Sequence, residues 1–435
     1  MVPDALVENQ ERKLSQLRQV VIAAAEKSPL YRKKYQDSSI PQDFDLSTFS
    51  DIPLLSRDEY YKGMKPTSFP LLIGEASGTY IFTSGGTTGD VKLTAWSMGF
   101  VKNWVDECYR SLSAVGLDAK DVVINLFFPG IWATHTLINK ALEKANCRII
   151  PLGGKISLED LVTFIKRLQV TGLIGVPSFI VRLTEYIETL PASQRSEIKI
   201  RKIWWAGEFL SSRQAEFIQE SLNCQVHPFI YSSTDTGTIG MKCPQAGTNQ
   251  YHIAESIFLE TLDVDTGESV PVGTPGEFAV TSLVNEKAPC IRYKVGDLGI
   301  INETPCSCGN PSPLFTLVGR ADDEVKIAGY LINPNIIQRG LEQFPELSRN
   351  FQMVVSEEGQ KTKLTILAET VPSISIAKDS DFAERVAANV AESYDILAEL
   401  IAREYCLPLG VQIVLPGTIP RNPRTGKIKR VRNLR

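Results

Sequence analysis

The chain has 435 residues, 43% of them hydrophobic and 22% charged, with 46 Lys and Arg against 50 Asp and Glu. That length suggests two or three domains, and the composition excludes a disordered or low-complexity chain. A net charge of −4 gives no global positive field for nucleic acid, eight cysteines are too few for a disulfide scaffold, and no apolar run reaches the roughly 18 residues of a membrane helix.

The N-terminus, MVPDALVENQERKLSQ, lacks the apolar core of a signal peptide, so a cytoplasmic protein is expected. Leu14, Leu17, Val20, Val21 and Ala24 recur at helical spacing, which predicts a helix over 8–27. Residues 40–70, rich in Pro, Ser and Asp, are expected to wrap the surface. From about 120 the pattern alternates. Strands are predicted at 122–128, 147–152, 172–176 and 200–207, and helices at 133–144, 158–168, 179–189 and 211–222. Such repetition implies parallel strands covered by helices, with ligands at the strands' carboxyl ends. Beyond 255, runs such as 257–262 and 276–281 between DTGES and PVGTPG read as antiparallel strands. From 319 the order is strand 325–332, helix 335–343, strands 351–356 and 363–369, helix 381–403 and strand 411–415, a small α+β domain. The expected class is α/β: a large domain over 1–318 with parallel sheets and an antiparallel segment, and a small mobile domain over 319–435.

The segment TSGGTTGDVK runs from Thr83 to Lys92 after the strand-like Tyr80–Phe82. Glycines let backbone N–H groups converge, and hydroxyls add donors, a combination suited to phosphate oxygens. It is not a Walker loop, since Asp90 follows Gly89, and a solvated turn reads the same residues equally well.

Further motifs follow in a fixed order: WWAGEFL at 204–210, IYSSTDTG at 230–237, HIAES at 252–256, IRYKVGDLG at 291–299, GRADDEVKIAGY at 319–330 and PRNPRTGKIKR at 420–430. From about residue 80 onward the series resembles the adenylate-forming superfamily of acyl-CoA synthetases, amino-acid adenylation domains and luciferases, in particular its phenylacetate-CoA ligase-like members. The resemblance implies that ATP is held by Ser84, Gly85, Gly86, Thr87, Thr88, Gly89, Gly207, Glu208, Tyr231, Ser232, Thr234 and Asp297. Asp297 would bind both ribose hydroxyls, since a carboxylate accepts two hydrogen bonds. Arg320 would contact ribose or phosphate, Asp322 would be the hinge, and Lys427 would reach the carboxylate and the α-phosphate. A bland reading also exists for Lys427, because residues 421–435 hold seven Lys and Arg and no acid. Gly329 and Tyr330 would line the thiol tunnel.

The sequence departs from the family pattern at three places. Asp235 stands where relatives have the Glu tied to Mg²⁺, and with a carboxylate one methylene shorter both a direct contact and one through a water stay open. Gly85 and Val91 replace the more usual Ser or Thr and Pro. Cys243, His252, Cys306 and Cys308 lack zinc-finger spacing, yet three thiolates and an imidazole suit a closed, structural Zn²⁺ site. Some phenylacetate-CoA ligase-like proteins resemble this. Cys108, Cys147, Cys224, Cys290 and Cys406 read as buried thiols. Phe128, Trp132, Trp205 and Ala206, with Gly207 and Tyr231, are candidate walls of an acyl pocket, although aromatics at strand ends also serve as plain core. His135 is a candidate to face the incoming acid or thiol, although a lone His on a helix is more often structural, and His227 reads as structural.

The implied activity is ATP-dependent activation of a carboxylic acid, aromatic or compact and apolar, as acyl-AMP. The acyl group then passes to a thiol, CoA or the phosphopantetheine of an acyl or peptidyl carrier protein. Transfer to another nucleophile and a non-catalytic adenylate-binding module are the alternatives. No nucleic-acid partner is expected, and the oligomeric state stays open, a homodimer included.

Overall fold

A computed structural model describes residues 4–36, 44–64, 69–83, 93–154, 156–208, 210, 212–302, 304–320, 325–327, 330–332, 334–371, 381–420, 428 and 430–435. The chain divides into two compact units, one of residues 1–175, 192–207 and 223–321, the other of 176–191, 208–222 and 322–435.

In the first unit the helix Asp4–Lys27 forms as its spacing predicts, with Leu17, Val21 and Ala24 fully buried. The surface wrap expected over 40–70 is not what folds. The described part forms the short helices Phe49–Asp51 and Arg57–Gly63, and it buries Phe44, Phe49, Ile52, Leu55, Tyr60 and Met64 in the main core. The polar composition hid these spaced apolar residues. The last of these helices starts with a capping box, Ser56 and Glu59 each serving the other's backbone N–H.

The predicted parallel strands appear as Val122–Asn125, Arg148–Ile150, Gly172–Gly175 and Lys202–Trp205. A fifth, Gln225–Pro228, was not legible because Gln225, His227 and Pro228 interrupt its apolar character. The order across the sheet is 148–150, 122–125, 172–175, 202–205, 225–228. The chain leaves 122–125 towards one edge, then crosses back to 172–175 on the other side, so the switch point lies between these two neighbours. Open parallel sheets bind ligands at the carboxyl side of such a switch.

The second sheet of this unit has seven strands, ordered 257–262, 276–282, 293–301, 314–320, 250–253, 237–241, 230–233. It is antiparallel throughout. A two-stranded ribbon, Thr79–Thr83 with Leu93–Ser97, flanks positions 84–92, which lie outside the described residues.

The second unit holds a four-stranded sheet ordered 410–414, 361–370, 347–358, 431–433, and a hairpin of Val325–Ile327 with Tyr330–Ile332. The single helix expected over 381–403 is two, Phe382–Glu392 and Asp395–Ala402. The break at Tyr394, which is itself buried, lets the first helix pack on Gly410–Val414 and the second on Tyr330–Ile332. The basic tail ends as a strand, Val431–Asn433, parallel to Leu347–Glu358. The α/β class is as expected. No described helix is long and apolar enough to cross a membrane.

Candidate active site

The motif 230–237 folds as a tight hairpin between Ile230–Ser233 and Gly237–Met241. Gly237 closes it at φ +79°, and a Cβ there would sit 2.4 Å from the Phe100 ring, so both conformation and space demand glycine. Trp96 Nε1 donates to the Thr234 carbonyl at 2.8 Å and pins the turn, while Ser232 pairs with Thr238 across it. Tyr231 packs on Tyr251 and Phe315, with ring centroids 6.0 and 5.7 Å away, and its hydroxyl donates to Asp297 Oδ2. Three strands separate these two residues in the sheet order. A flat sheet would hold them about 19 Å apart at about 4.8 Å per strand, so the sheet curls until they meet.

Asp297 follows Gly296 (φ +79°) and faces Arg320 across the register of Tyr293–Ile301 and Leu314–Arg320. The Arg320 side chain lies outside the described residues, as do Ser84, Gly85, Gly86, Thr87, Thr88, Gly89, Asp322, Gly329 and Lys427. Asp235 is only 4% exposed, and its Oδ2 accepts from Tyr61 at 2.8 Å and Tyr293 at 2.7 Å. Two positions below Tyr293, Ile291 N donates to the Tyr31 hydroxyl. Between them Arg292 is buried at φ +47°, bound to both Glu260 oxygens (3.2 Å each from Nε) and, at 2.6 Å, to the Ile52 carbonyl. The N-terminal segment thus locks onto the base of the strand that carries Asp297. Sequence reasoning missed Tyr61, Tyr293, Arg292 and Glu260. Tyr293 and Arg292 stand inside the IRYKVGDLG motif, whereas Tyr61 precedes the stretch that carries the resemblance and had no signal.

At the switch point of the parallel sheet, the loop after Val122–Asn125 carries Phe128 and Trp132, both half-exposed. Its shape is clamped at Phe127. The N–H there donates to Asn125 Oδ1 at 3.1 Å, and the carbonyl faces His135 Nδ1 at 2.8 Å. His135 is therefore a buried histidine satisfied within the loop, in line with its structural reading. Gly154 lets the next loop approach, since a Cβ there would lie 2.7 Å from the Leu126 carbonyl oxygen and 3.1 Å from the Phe128 ring. Trp205 and Ala206 are buried at the end of Lys202–Trp205, and Gly207 follows at φ +88°. In the second unit, Glu208 Oε2 accepts from Ser178 N at 3.0 Å, at the N-terminus of Pro177–Glu188, where a carboxylate is favoured. Tyr330 is half-buried in its hairpin, and burial pushes its phenol up.

Cys243, His252, Cys306 and Cys308 converge, with their ligand atoms all within 4.8 Å of one another. Cys243 Sγ lies 3.7 Å from Cys306 Sγ, and His252 Nε2 lies 3.2 Å from Cys308 Sγ. A tetrahedral zinc with Zn–S near 2.3 Å separates its sulfurs by about 3.8 Å, so the spacing fits the ion. His252 Nδ1 faces the Ser312 carbonyl at 2.6 Å and must carry the proton, which leaves the Nε2 lone pair for the cluster. In the Cys-x-Cys turn, Asn310 N donates to Cys308 Sγ at 3.4 Å, and the Cys308 N–H holds the Cys306 thiol below its ordinary range. Of the other cysteines, Cys108, Cys290 and Cys406 are buried as expected, but Cys147 and Cys224 are only half-buried.

Comparison with known proteins supplies the frame for this geometry. The family model described as "AMP-binding enzyme" matches residues 4–283, and that of its C-terminal domain matches 329–435. The chain belongs to the AMP-binding enzyme family. Within that family it is 22% identical over 417 residues to the phenylacetate-coenzyme A ligase of Aromatoleum evansii (94% of this chain, 92% of the relative). It is 24% identical over 432 residues to the same enzyme of Thermus thermophilus (96% and 95%). A solved 2-hydroxyisobutyryl-CoA ligase, in complex with 2-HIB-AMP and CoA, shares the fold with a TM-score of 0.73 at 20% identity, covering 99% of this chain and 90% of that one.

Proposed function

We propose that this AMP-binding enzyme is an AMP-forming acid–thiol ligase that activates an aromatic or compact apolar carboxylic acid and delivers it to CoA. The supporting observation is the near end-to-end match to phenylacetate-coenzyme A ligases, 94–96% of the chain, with their ordered motifs present. In the first step a carboxylate oxygen attacks the α-phosphorus of ATP, and pyrophosphate leaves. The loop Ser84–Gly89 cradles phosphate, and Asp297 takes both ribose hydroxyls. Arg320 and Lys427 offset the charge that builds up as two anions meet. Tyr231, already packed against Tyr251 and Phe315, offers a ring face to the base. Phe128, Trp132, Trp205 and Ala206 wall the acid. In the second step the domain over 319–435 turns about Asp322 and withdraws Lys427. It then sets Gly329 and Tyr330 along the thiol's path. The thiolate attacks the acyl carbonyl, and AMP leaves.

Asp235 is the carboxylate for Mg²⁺, reached through a water. The ion supplies charge neutralisation to the phosphates. Cys243, His252, Cys306 and Cys308 hold a structural zinc, which takes no part in the chemistry. A cytoplasmic location belongs to the same proposal.

The test is ATP–pyrophosphate exchange over a panel of acids, followed by thioester formation with CoA. Acid-dependent exchange and acyl-CoA formation are expected. Lys427→Ala should lower exchange on the order of 10²–10³-fold while thioester formation from supplied acyl-AMP persists. Exchange without any acid would favour a binding module. Exchange that never yields acyl-CoA would point to a carrier protein or another acceptor.

A further inference from the structure

Two tyrosine–aspartate pairs cross between the hairpin 230–237 and the strand Tyr293–Ile301. Tyr231 donates to Asp297, and Tyr293, four residues before Asp297, donates to Asp235, four residues after Tyr231. Each segment thus holds the other's carboxylate. A third hydroxyl, from Tyr61 on the helix Arg57–Gly63, meets the same Asp235 oxygen. Two of the phenol rings adjoin Tyr60, which lies 5.5 Å from Tyr61 edge-on and 5.2 Å from Tyr293. Cys290 Sγ meets the Asp235 carbonyl at 3.3 Å, and Asp235 N donates to Ser233 Oγ at 3.2 Å, so the backbone of this residue is fixed as well.

A carboxylate has two freedoms that matter to a neighbouring ion, the plane of the group and the direction of its oxygens. Two hydroxyls arriving at Oδ2 from different elements fix both. We infer that Tyr61 and Tyr293 are positioning residues that aim the Asp235 carboxylate and so set the magnesium requirement of adenylation. This rests on the reading of Asp235 as the magnesium-side carboxylate. The aspartate's short arm gives it a physical motive. A carboxylate acting through a bridging water loses its ion if its direction wanders, since Mg²⁺ tolerates little departure from octahedral geometry. The tyrosines restore the definition that a longer, direct arm would have by itself.

The experiment titrates magnesium at fixed ATP and acid, read both as the pyrophosphate-exchange rate and as the magnesium-dependent rise in melting temperature of the ATP-bound protein, for Tyr61→Phe, Tyr293→Phe, their double variant and Asp235→Asn. Phenylalanine keeps every ring contact and removes only the hydroxyl. The double variant should need on the order of tenfold more magnesium for half its maximal rate, the scale of losing hydrogen bonds to a charged group. Its rate at saturating magnesium and its KM for the acid should stay near those of the parent. A purely structural role would lower the maximal rate or thermal stability and leave the half-saturating concentration in place. An unchanged half-saturation in the folded double variant, with Asp235→Asn shifted, would overturn this inference alone. An unchanged half-saturation in Asp235→Asn would overturn both it and the reading beneath it. Tyr61→Phe, at a half-exposed ring, provides the folded single variant if Tyr293→Phe does not fold.

Discussion

The curled seven-stranded sheet carries two constellations built on opposite principles. One is the crossed pair of tyrosines and aspartates, and the other is the convergence of Cys243, His252, Cys306 and Cys308. In the first, each carboxylate is met by a hydroxyl of the chain itself, so it is oriented before any ligand arrives. In the second, three thiols and an imidazole approach to within a few ångströms and have little to say to one another. The 3.7 Å between Cys243 and Cys306 is far beyond the about 2.05 Å of a disulfide. Protein chemistry alone preorganises the first, whereas the second would gain its cohesion from the proposed zinc.

The largest consequence falls on the metal side. Metal analysis of protein purified without chelator should find about one zinc per chain. Replacing Cys306 and Cys308 together by Ser should abolish it and lower the melting temperature by roughly 10 °C, the scale of several kcal/mol in a chain this long. Full zinc content in that variant, or none in the parent, would erase the contrast. Next comes Asp297, the proposed ribose carboxylate. Asp297→Ala removes an acceptor of two hydrogen bonds and should cut kcat/KM for ATP on the order of 10²-fold with zinc content untouched. A loss confined to the acid's KM would detach Asp297 from the nucleotide. The smallest effect is in alkaline pH. Burial, then the neighbouring Asp235 charge, holds the Tyr293 phenol well above its ordinary value of 10.0. The folded state therefore keeps a proton that the unfolded chain releases. That stabilisation is whole below pH 10 and is lost as pH rises beyond it. Tyr293→Phe should flatten this alkaline decline by about 1 kcal/mol between pH 10 and 11, read from urea midpoints. Identical slopes would mean that the phenol ionises in the fold as freely as in the open chain.

The two constellations also differed in how far the sequence disclosed them. The cysteine–histidine set was legible by residue type alone, since few other combinations gather soft ligands. Tyr231, Asp235 and Asp297 were legible through ordered motifs, but their mutual contacts were not, because sheet curvature brings distant strands together and leaves no periodic mark. The parallel core showed itself in unbroken apolar runs such as Val122–Asn125, and Ala133–Lys144 folds as the helix expected. The N-terminal segment was misread because its buried aromatics are scattered among Pro, Ser and Asp. Tyr394 was hidden inside a pattern that suited one continuous helix.

The Arg292–Glu260 pair has a bearing on how this enzyme can be dissected. The guanidinium also grips the Ser50 and Ile52 carbonyls, so the stretch ahead of the recognisable motifs works as a keel. Trimming the chain back to those motifs would strip two carbonyl partners from a buried cation at the foot of the strand that carries Asp297. A minimal catalytic fragment must therefore begin well upstream of where its chemistry becomes recognisable.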